Sequence, residues 1–552
     1  MTTAARRPST RPTHRAAPVP ASPLTGLGSL ERLYGRLSRR AVLVWTLAML
    51  VLVPASILAI EEAYPDQSAL DARAALLDNP SAVMMTGPAF AMDRYTLWAM
   101  VANELFLYIL IPAAIMSVLL TVRHTRGEEE AGRLEMTRAL PTGRLAPGVA
   151  ALVVVTIANA APGAAVAIGT LLVGGATADS LAFGLATALT GMVFAGIAAV
   201  TAQLTEHAGT ATGMALGLLA LAFMVRGIGD VIDRQGSWLS WFSPLAWAQQ
   251  TRVFVDLRWW PLLVSLAAVI ALLVVAGVLS RRRDVGSGLR AATGGPASAS
   301  AALLAPGGLA RRLVTGTMIA WAIGLFLFAL AFGSLASSLT DVVAEIPAIG
   351  EWAPISMDDL TGSFSAYVLR MLAIGPAVLI VSGTLRMRSE ETAGRLAGAL
   401  AGGTSRVRLA GTWFLVVLLE AAALQVLLGL GVGLGVWAAT DDTVWIGDMT
   451  LAALAYLPAI ALCGAFALAL YGLHLRLTGL AWAWVVYAAL VVFLGDLLGL
   501  PEAALDVSPL HHVPLLPSAE FDWLPLLVMG VLAVVLVTVG LVAVRRRDLA
   551  AG

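Results

Sequence analysis

The chain alternates between long apolar stretches and short polar connections, the pattern of a protein that crosses a bilayer many times, because about 20 apolar residues cover its hydrocarbon core. Spans are predicted at about 41–60, 97–122, 148–174, 180–204, 209–228 and 259–280, and again at about 313–336, 366–386, 409–437, 448–473, 477–495 and 523–544. The fold class that follows is an all-α membrane protein of twelve transmembrane helices. Ahead of the first span, Leu30, Leu33, Tyr34 and Leu37 fall at i, i+3, i+4 and i+7, while Arg32, Arg36, Arg39 and Arg40 take the other side. This predicts an amphipathic helix lying flat on the membrane surface. Residues 229–258, with Trp238, Trp241, Phe242, Pro244 and Trp247, are too apolar for a free loop and too interrupted to span. Re-entrant or interfacial helices fit them.

Residues 123–147 form a charged island between the second and third spans and must lie in water. From Gly127 to Leu140 the island reads as one short helix. Glu128, Glu129 and Glu130 fill its first turn, where the positive end of the helix dipole favours anions, and Glu129 sits four residues ahead of Arg133. Pro141 and Gly143 stop it. The phrase Arg126-Gly-Glu128-Glu129-Glu-Ala131-Gly132-Arg133-Leu134 then returns as Arg388-Ser-Glu390-Glu391-Thr-Ala393-Gly394-Arg395-Leu396, with Glu391 ahead of Arg395 at the same spacing.

Other landmarks repeat as well. Gly229-Asp230 answers Gly495-Asp496, Ser243-Pro244-Leu245 answers Ser508-Pro509-Leu510, and Arg281-Arg-Arg-Asp284 answers Arg545-Arg-Arg-Asp548. The chain is therefore a duplicated six-span unit, and an even number of spans gives both halves one orientation, related by a pseudo-twofold axis along the membrane normal. The expected organisation is a disordered cytoplasmic tail (1–28), a first half (29–284) with the surface helix and a helical island near 127–140, a Gly/Ala/Ser-rich linker (285–308), and a second half (309–552) with its island near 389–402. A charged loop alone is usually a solvated cap. One that recurs together with its neighbouring spans reads as a docking surface.

Composition narrows the function. Of 552 residues 59% are hydrophobic and 13% charged, and every one of the 35 residues counted as Lys+Arg is Arg. Without lysine, no phosphate-binding loop ending Gly-Lys-Ser/Thr exists, so the chain has no such ATPase site. The one cysteine, Cys463, excludes an internal disulfide, and the adjacent His511-His512 lacks a third ligand, so no metal site is expected. A net charge of zero gives no reason to expect nucleic acid as a partner. Only seven arginines (Arg73, Arg94, Arg226, Arg234, Arg252, Arg258, Arg370) fall in or beside the loops opposite the islands; the rest lie on the side of the termini and islands, which is thereby the cytoplasmic side. The opposite loops are acidic, with Glu61, Glu62, Asp341, Glu345, Asp358 and Asp496 among them.

Polar residues within spans are candidates for a translocation path. Glu420 lies deep in the ninth span and must face protein or a water-filled cavity, either as an interhelical hydrogen-bond donor or as a substrate contact. Glu104 and Asn159 are the other candidates. Gly429-Leu-Gly431-Val-Gly433 reads as a surface for close helix packing.

With the repeated islands, the surface helix and two six-span units, residues 29–548 resemble ABC-2-type exporter permeases, in particular the fused twelve-span permeases of actinobacterial polyketide-antibiotic and multidrug exporters of which the tetronasin exporter is the namesake. The resemblance implies a plasma-membrane permease subunit, multi-pass with both termini cytoplasmic, that exports amphipathic or hydrophobic compounds. It also implies a separately encoded ABC-type ATPase in two copies, which binds ATP and Mg; this chain would hold no cofactor and be no enzyme by itself. In that family the island is a coupling helix that docks on the ATPase. The carry-over is to Glu128, Glu129, Gly132, Arg133 and Glu135, and to Glu390, Glu391, Gly394 and Arg395. Ala397 replaces Glu135 and Leu400 replaces Arg138, so the two islands are expected to couple unequally. The alternative is a twelve-span proton-coupled secondary drug carrier using Glu420 or Glu104, although such carriers place a Gly/Asp/Arg-rich turn where this chain has an acidic helix. A membrane-embedded enzyme would need a polar catalytic cluster, which the sequence lacks.

Overall fold

The computed structural model of the protein describes residues 22–77, 80–284, 286–289, 298–336, 359–494 and 500–548. Most of the expected tail, part of the linker, and Asp341, Glu345, Asp358, Gly495 and Asp496 lie outside these residues. Among the described residues the structure is helical and without strands.

Twelve helices are long and apolar enough to cross a membrane: Leu27–Ala63, Leu97–Glu130, Ala146–Leu172, Thr177–Leu204, Ala208–Ile232, Trp260–Arg281, Pro306–Gly333, Leu360–Thr392, Arg406–Thr440, Val444–Leu473, Leu475–Phe493 and Trp523–Arg546. They are called the first to twelfth spans, and the protein is a multi-pass membrane protein. Hydropathy places all twelve; the ends differ where polar residues continue a helix into water. The expected surface helix is the beginning of the first span, one unbroken helix of 37 residues. Of its predicted apolar side only Leu30 and Tyr34 are buried, whereas Leu33 and Leu37 are 45% and 46% exposed.

The chain divides into two compact units. The first comprises residues 1–58, 104–225 and 241–293; the second comprises 294–552 together with 59–103 and 226–240. In each unit two spans form the interior. In the first, two thirds of the apolar window of the second and fourth spans is buried, against 17% for the first span; in the second, 72% of the eighth is buried against 17% for the seventh. Poorly buried spans carry their exposed apolar side chains, such as Leu47 and Val51 or Val531 and Val534, where lipid takes the place of a protein neighbour.

The segment before the sixth span contains two short helices, Ser240–Phe242 and Pro244–Gln249, capped by the Ser243 hydroxyl accepting from Leu245 N–H. Trp241 stacks on Trp260 at 4.9 Å and accepts at its carbonyl from the Trp247 indole at 2.7 Å. Some of the polar groups of this interrupted helical segment are thus paired within it, and the Phe254 N–H is paired with Asp179 of the fourth span.

The ninth and tenth spans meet through glycine. A side chain at Gly433 would place its Cβ 2.8 Å from Ile446 Cα, and one at Gly429 would place its Cβ 2.7 Å from Thr450 Cα. Gly433→Leu is therefore expected to destabilise the protein by about 1–3 kcal/mol through overpacking, read as a lowered thermal midpoint in detergent; an unchanged midpoint would show that this contact is not tight.

Candidate functional site

The island of the first unit is a corner rather than one helix. The second span ends in helix Arg126–Glu130, Gly132 takes φ +69°, and a second short helix runs Arg133–Arg138. The left-handed conformation at Gly132 strongly favours glycine over residues with a Cβ. It turns Arg133 back onto Glu128, to which the guanidinium donates two hydrogen bonds, 2.9 Å from Nε and 2.8 Å from Nη2. Hydrogen bonding to Glu128, and then the attraction of its charge, raises the Arg133 pKa above its ordinary value, although burial opposes this.

Glu129 has a different partner. Arg283, the third arginine of the run that closes the sixth span, donates to both its carboxylate oxygens at 2.7 and 2.8 Å. Arg126 donates to it at 2.8 Å and also to the carbonyl of Ala202 at 2.8 and 2.5 Å. Glu130 accepts from the N–H of Ala208 at 2.8 Å and so caps the start of the fifth span. The first span is tied in as well: Tyr34 stacks on His124 with ring centroids 4.9 Å apart, and Ser38 Oγ lies 2.5 Å from His124 Nε2.

The second unit repeats this frame. Its eighth span runs on to Thr392, Gly394 takes φ +73°, and a short helix follows over Arg395–Ala401. Arg395 donates to both oxygens of Glu390 at 2.6 and 3.0 Å. Arg547, the third arginine of the closing run, donates to both oxygens of Glu391 at 2.8 Å, and Tyr471 adds a hydroxyl donor at 2.6 Å. The bond to Glu391 is the main cause that raises the Arg547 pKa. Arg388 donates to Thr478 Oγ1 at 2.8 Å.

Two expectations are corrected here. The island near 127–140 is two helices broken at a left-handed glycine, and the Glu129–Arg133 and Glu391–Arg395 pairs do not form. The glycine turn shifts each pairing by one residue, to Glu128–Arg133 and Glu390–Arg395, and releases Glu129 and Glu391 to arginines distant in sequence. Glu128, Glu129, Glu390 and Glu391 are consequently turned inward, with side chains 11%, 10%, 10% and 1% exposed. What the first island presents outward is Glu135, Met136, Arg138 and Leu140, with Met136 64% and Leu140 62% exposed. The corresponding face of the second island shows Ala397, Gly398 and Ala401. Sequence reading missed the two exposed apolar side chains. It also missed the roles of Arg283 and Arg547, although the repeated Arg-Arg-Arg-Asp ends carried that signal.

Of the intramembrane candidates, Glu420 belongs to the second unit, and Asn159 and Glu104 to the first. Glu420 Oε1 lies 2.7 Å from the hydroxyl of Thr315 on the seventh span, so it joins two helices. Asn159 accepts from Ser117 at 2.6 Å, donates to the carbonyl of Val155 at 2.9 Å, and lies against Met192, linking the second, third and fourth spans. Glu104 is buried in a π-helical turn over Val101–Leu105. A further buried pair was not foreseen as such: Arg226 donates to Asp230 at 3.1 Å and to the carbonyl of Met84, and Asp230 accepts from Ser240 at 2.6 Å. In the eighth span Arg370 lies 2.7 Å from His511 Nδ1, so that histidine serves in a polar contact.

The Glu391–Arg547 pair is open to measurement. Glu391→Ala leaves the Arg547 charge without its carboxylate and is expected to cost about 3 kcal/mol. Glu391→Ala combined with Arg547→Ala should cost less than the two single losses added together, since no charge is then left uncompensated. Strict additivity in chemical or thermal unfolding of the four proteins would show that the pair does not act as a unit.

Comparison with known proteins agrees with this architecture. Residues 303–545 match the family model described as the C-terminal domain of the multidrug efflux system permease Rv1217c. Over 545 residues, covering 98% of both chains, the sequence is 35% identical to the multidrug efflux system permease protein Rv1217c of Mycobacterium tuberculosis (strain ATCC 25618 / H37Rv). Identity of that extent along nearly the whole length, on a chain of twelve spans, means that the protein belongs to the family of that multidrug efflux permease.

Proposed function

We propose that the chain is the membrane-spanning permease subunit of an ATP-driven exporter of amphipathic or hydrophobic compounds, of the ABC-2, tetronasin-exporter-like kind. The observation that carries this reading is the island frame: a rigid corner, held by buried ion pairs, that lifts a short helix clear of the bundle with Glu135, Met136, Arg138 and Leu140 exposed. Among the described residues nothing covers Met136 and Leu140 on that face. A charged rim around two apolar side chains suits a protein partner, because buried apolar anchors carry most interface energy and rim charges orient it. The printed name of the relative, a permease of a multidrug efflux system, supports the same reading.

The partner is an ABC-type ATPase subunit, present in two copies and supplying the ATP and Mg sites that a lysine-free chain cannot build as a phosphate-binding loop. Arginine placement supports cytoplasmic termini and islands. The inward carboxylates hold the island in shape, and contact falls to the outer face. That division makes the islands unequal, since the second shows only small side chains where the first shows Glu135 and Met136.

Met136→Ser with Leu140→Ser removes two anchors that would each contribute about 1.5–3 kcal/mol when buried. Substrate-stimulated ATPase activity of the complex that co-purifies with the tagged chain is expected to fall more than tenfold. Ala397→Ser with Gly398→Ser should have a small effect, compared at equal amounts of permease. Equal losses would refute the asymmetry, and no loss in either would remove the docking role.

A proton-coupled carrier built on Glu420, rather than Glu104, would need that carboxyl to gain and release a proton in each cycle. The Thr315 contact favours a packing role instead. Glu420→Gln preserves size and the hydrogen bond to Thr315, so efflux in cells is expected to continue undiminished from acidic to alkaline medium. Abolished efflux by a normally folded Glu420→Gln protein would favour the carrier.

A further inference from the structure

The second unit contains a cavity of about 450 Å³ lined from the seventh, eighth and eleventh spans, beside the Glu390–Arg395 pair. Val314, Leu379, Leu385 and Trp482 supply its apolar lining, and Arg386 supplies a charge. Arg386 is not used as Arg395 is. Arg395 donates twice to Glu390, at 2.6 and 3.0 Å, whereas Arg386 comes only within 4.0 Å of that carboxylate and has a side chain 39% exposed. Two guanidinium groups thus share one carboxylate, and the lining has an excess of positive charge. Ser382 and Ser389 donate their hydroxyl protons to the carbonyls of Leu379 and Arg386, which leaves Arg386 as the charged donor facing the cavity, with the Thr317 hydroxyl beside it.

The matching place in the first unit is filled. Arg39-Arg40-Ala41-Val42 aligns with Arg311-Arg312-Leu313-Val314, which sets Trp45 where the second unit has Thr317, and the islands set His124 where it has Arg386. Trp45 packs against the core of Met116 and Leu120, and the Tyr34 ring covers His124. The same alignment sets Pro306, the first residue of the seventh span, in the place of Tyr34, so the second unit has no aromatic ring at that position. The opening in the second unit thus has an arginine and a threonine where the first unit has a covered histidine and a packed tryptophan.

We propose that this cavity binds an anionic amphiphile, with a phosphate or carboxylate head on Arg386 and its hydrocarbon chain along Val314, Leu379 and Leu385. A guanidinium suits such a head because it offers a planar fork of donors and keeps its charge at the membrane surface. A volume of about 450 Å³, with apolar side chains on one part of the lining and Arg386, Glu390 and Arg395 on another, suits a molecule that has both a charged head and a chain. This inference stands on the geometry of the second unit and not on the transport reading. The head could belong to a membrane phospholipid or to a free amphiphile, and the same chemistry would recognise both.

The test uses the purified full chain in uncharged dodecyl maltoside, titrated with dodecyl phosphate and followed by calorimetry. Saturable binding is expected, weakened about tenfold or more by Arg386→Gln, partly retained by Arg386→Lys, and lost in Thr317→Trp, which fills the cavity with the first unit's side chain while leaving Arg386 in place. Native mass spectrometry separates the sources. Phosphatidylglycerol that survives purification on the wild type, and is absent from Arg386→Gln, identifies a lipid site; a lipid-free chain that takes up dodecyl phosphate identifies a site for free amphiphiles. Should Arg386→Gln fail to fold, Thr317→Trp decides alone. Neither retained lipid nor saturable uptake, or uptake equal in wild type and Thr317→Trp, would overturn the proposal, as would equal affinity for dodecyltrimethylammonium.

Discussion

The carboxylate clamped at the inner side of each island is the contact on which the rest of the site depends. Glu129 with Arg283, and Glu391 with Arg547, each join the end of an early span of a half to the closing arginine run of that half, residues 154 and 156 apart in sequence. Taking both charges out of water is costly, and the two parallel hydrogen bonds of a guanidinium are what offset it. Once the pair exists it is hard to dismantle one side at a time, because the remaining charge would be stranded. A helix corner that would otherwise fray is thereby fixed to the sixth or twelfth span. The clamp thereby ties the island directly to the end of that span.

The corner itself is made by a glycine and a second ion pair. Gly132 and Gly394 reverse the chain in the left-handed region, and the reversal brings Arg133 and Arg395 onto the carboxylates of Glu128 and Glu390. The arginines remain largely exposed, so each pair contributes modestly to stability and mainly fixes direction. Together the clamp and the corner hold the four acidic side chains inside and turn the following short helix outward. Acidic residues that read as contacts in the sequence are in this way the support of the outward-turned short helix.

How much was legible follows from the range of the interactions. The spans could be read because hydropathy over about 20 residues is a local property, and the duplication could be read because both copies keep the same words. The register of the ion pairs could not. A spacing of four residues implies a helical pair only if the helix continues, and a single left-handed glycine in each island breaks it. The true partners of Glu129 and Glu391 lie more than 150 residues away. They were visible only as the repeated Arg-Arg-Arg-Asp ends, with nothing local to connect them to the islands. Asn159 and Glu420 show the same limit within the spans: polarity marked them, but only packing reveals that each is engaged by a neighbouring helix.

What the two halves keep and what they change separate cleanly. The clamp, the corner and the left-handed glycine are kept in both, and these are interior features whose loss would leave a buried charge or a strained backbone. The outer face of the short helix is changed, from Glu135, Met136 and Arg138 to Ala397, Gly398 and Leu400, and so is the space beside it, closed by Tyr34 and Trp45 in one unit and open beside Thr317 and Arg386 in the other. Surfaces can diverge in this way at little cost to stability, because exposed side chains contribute little to folding. Divergence at the face and the cavity, on a clamp and corner that did not diverge, leaves two units whose islands are held alike and present different side chains.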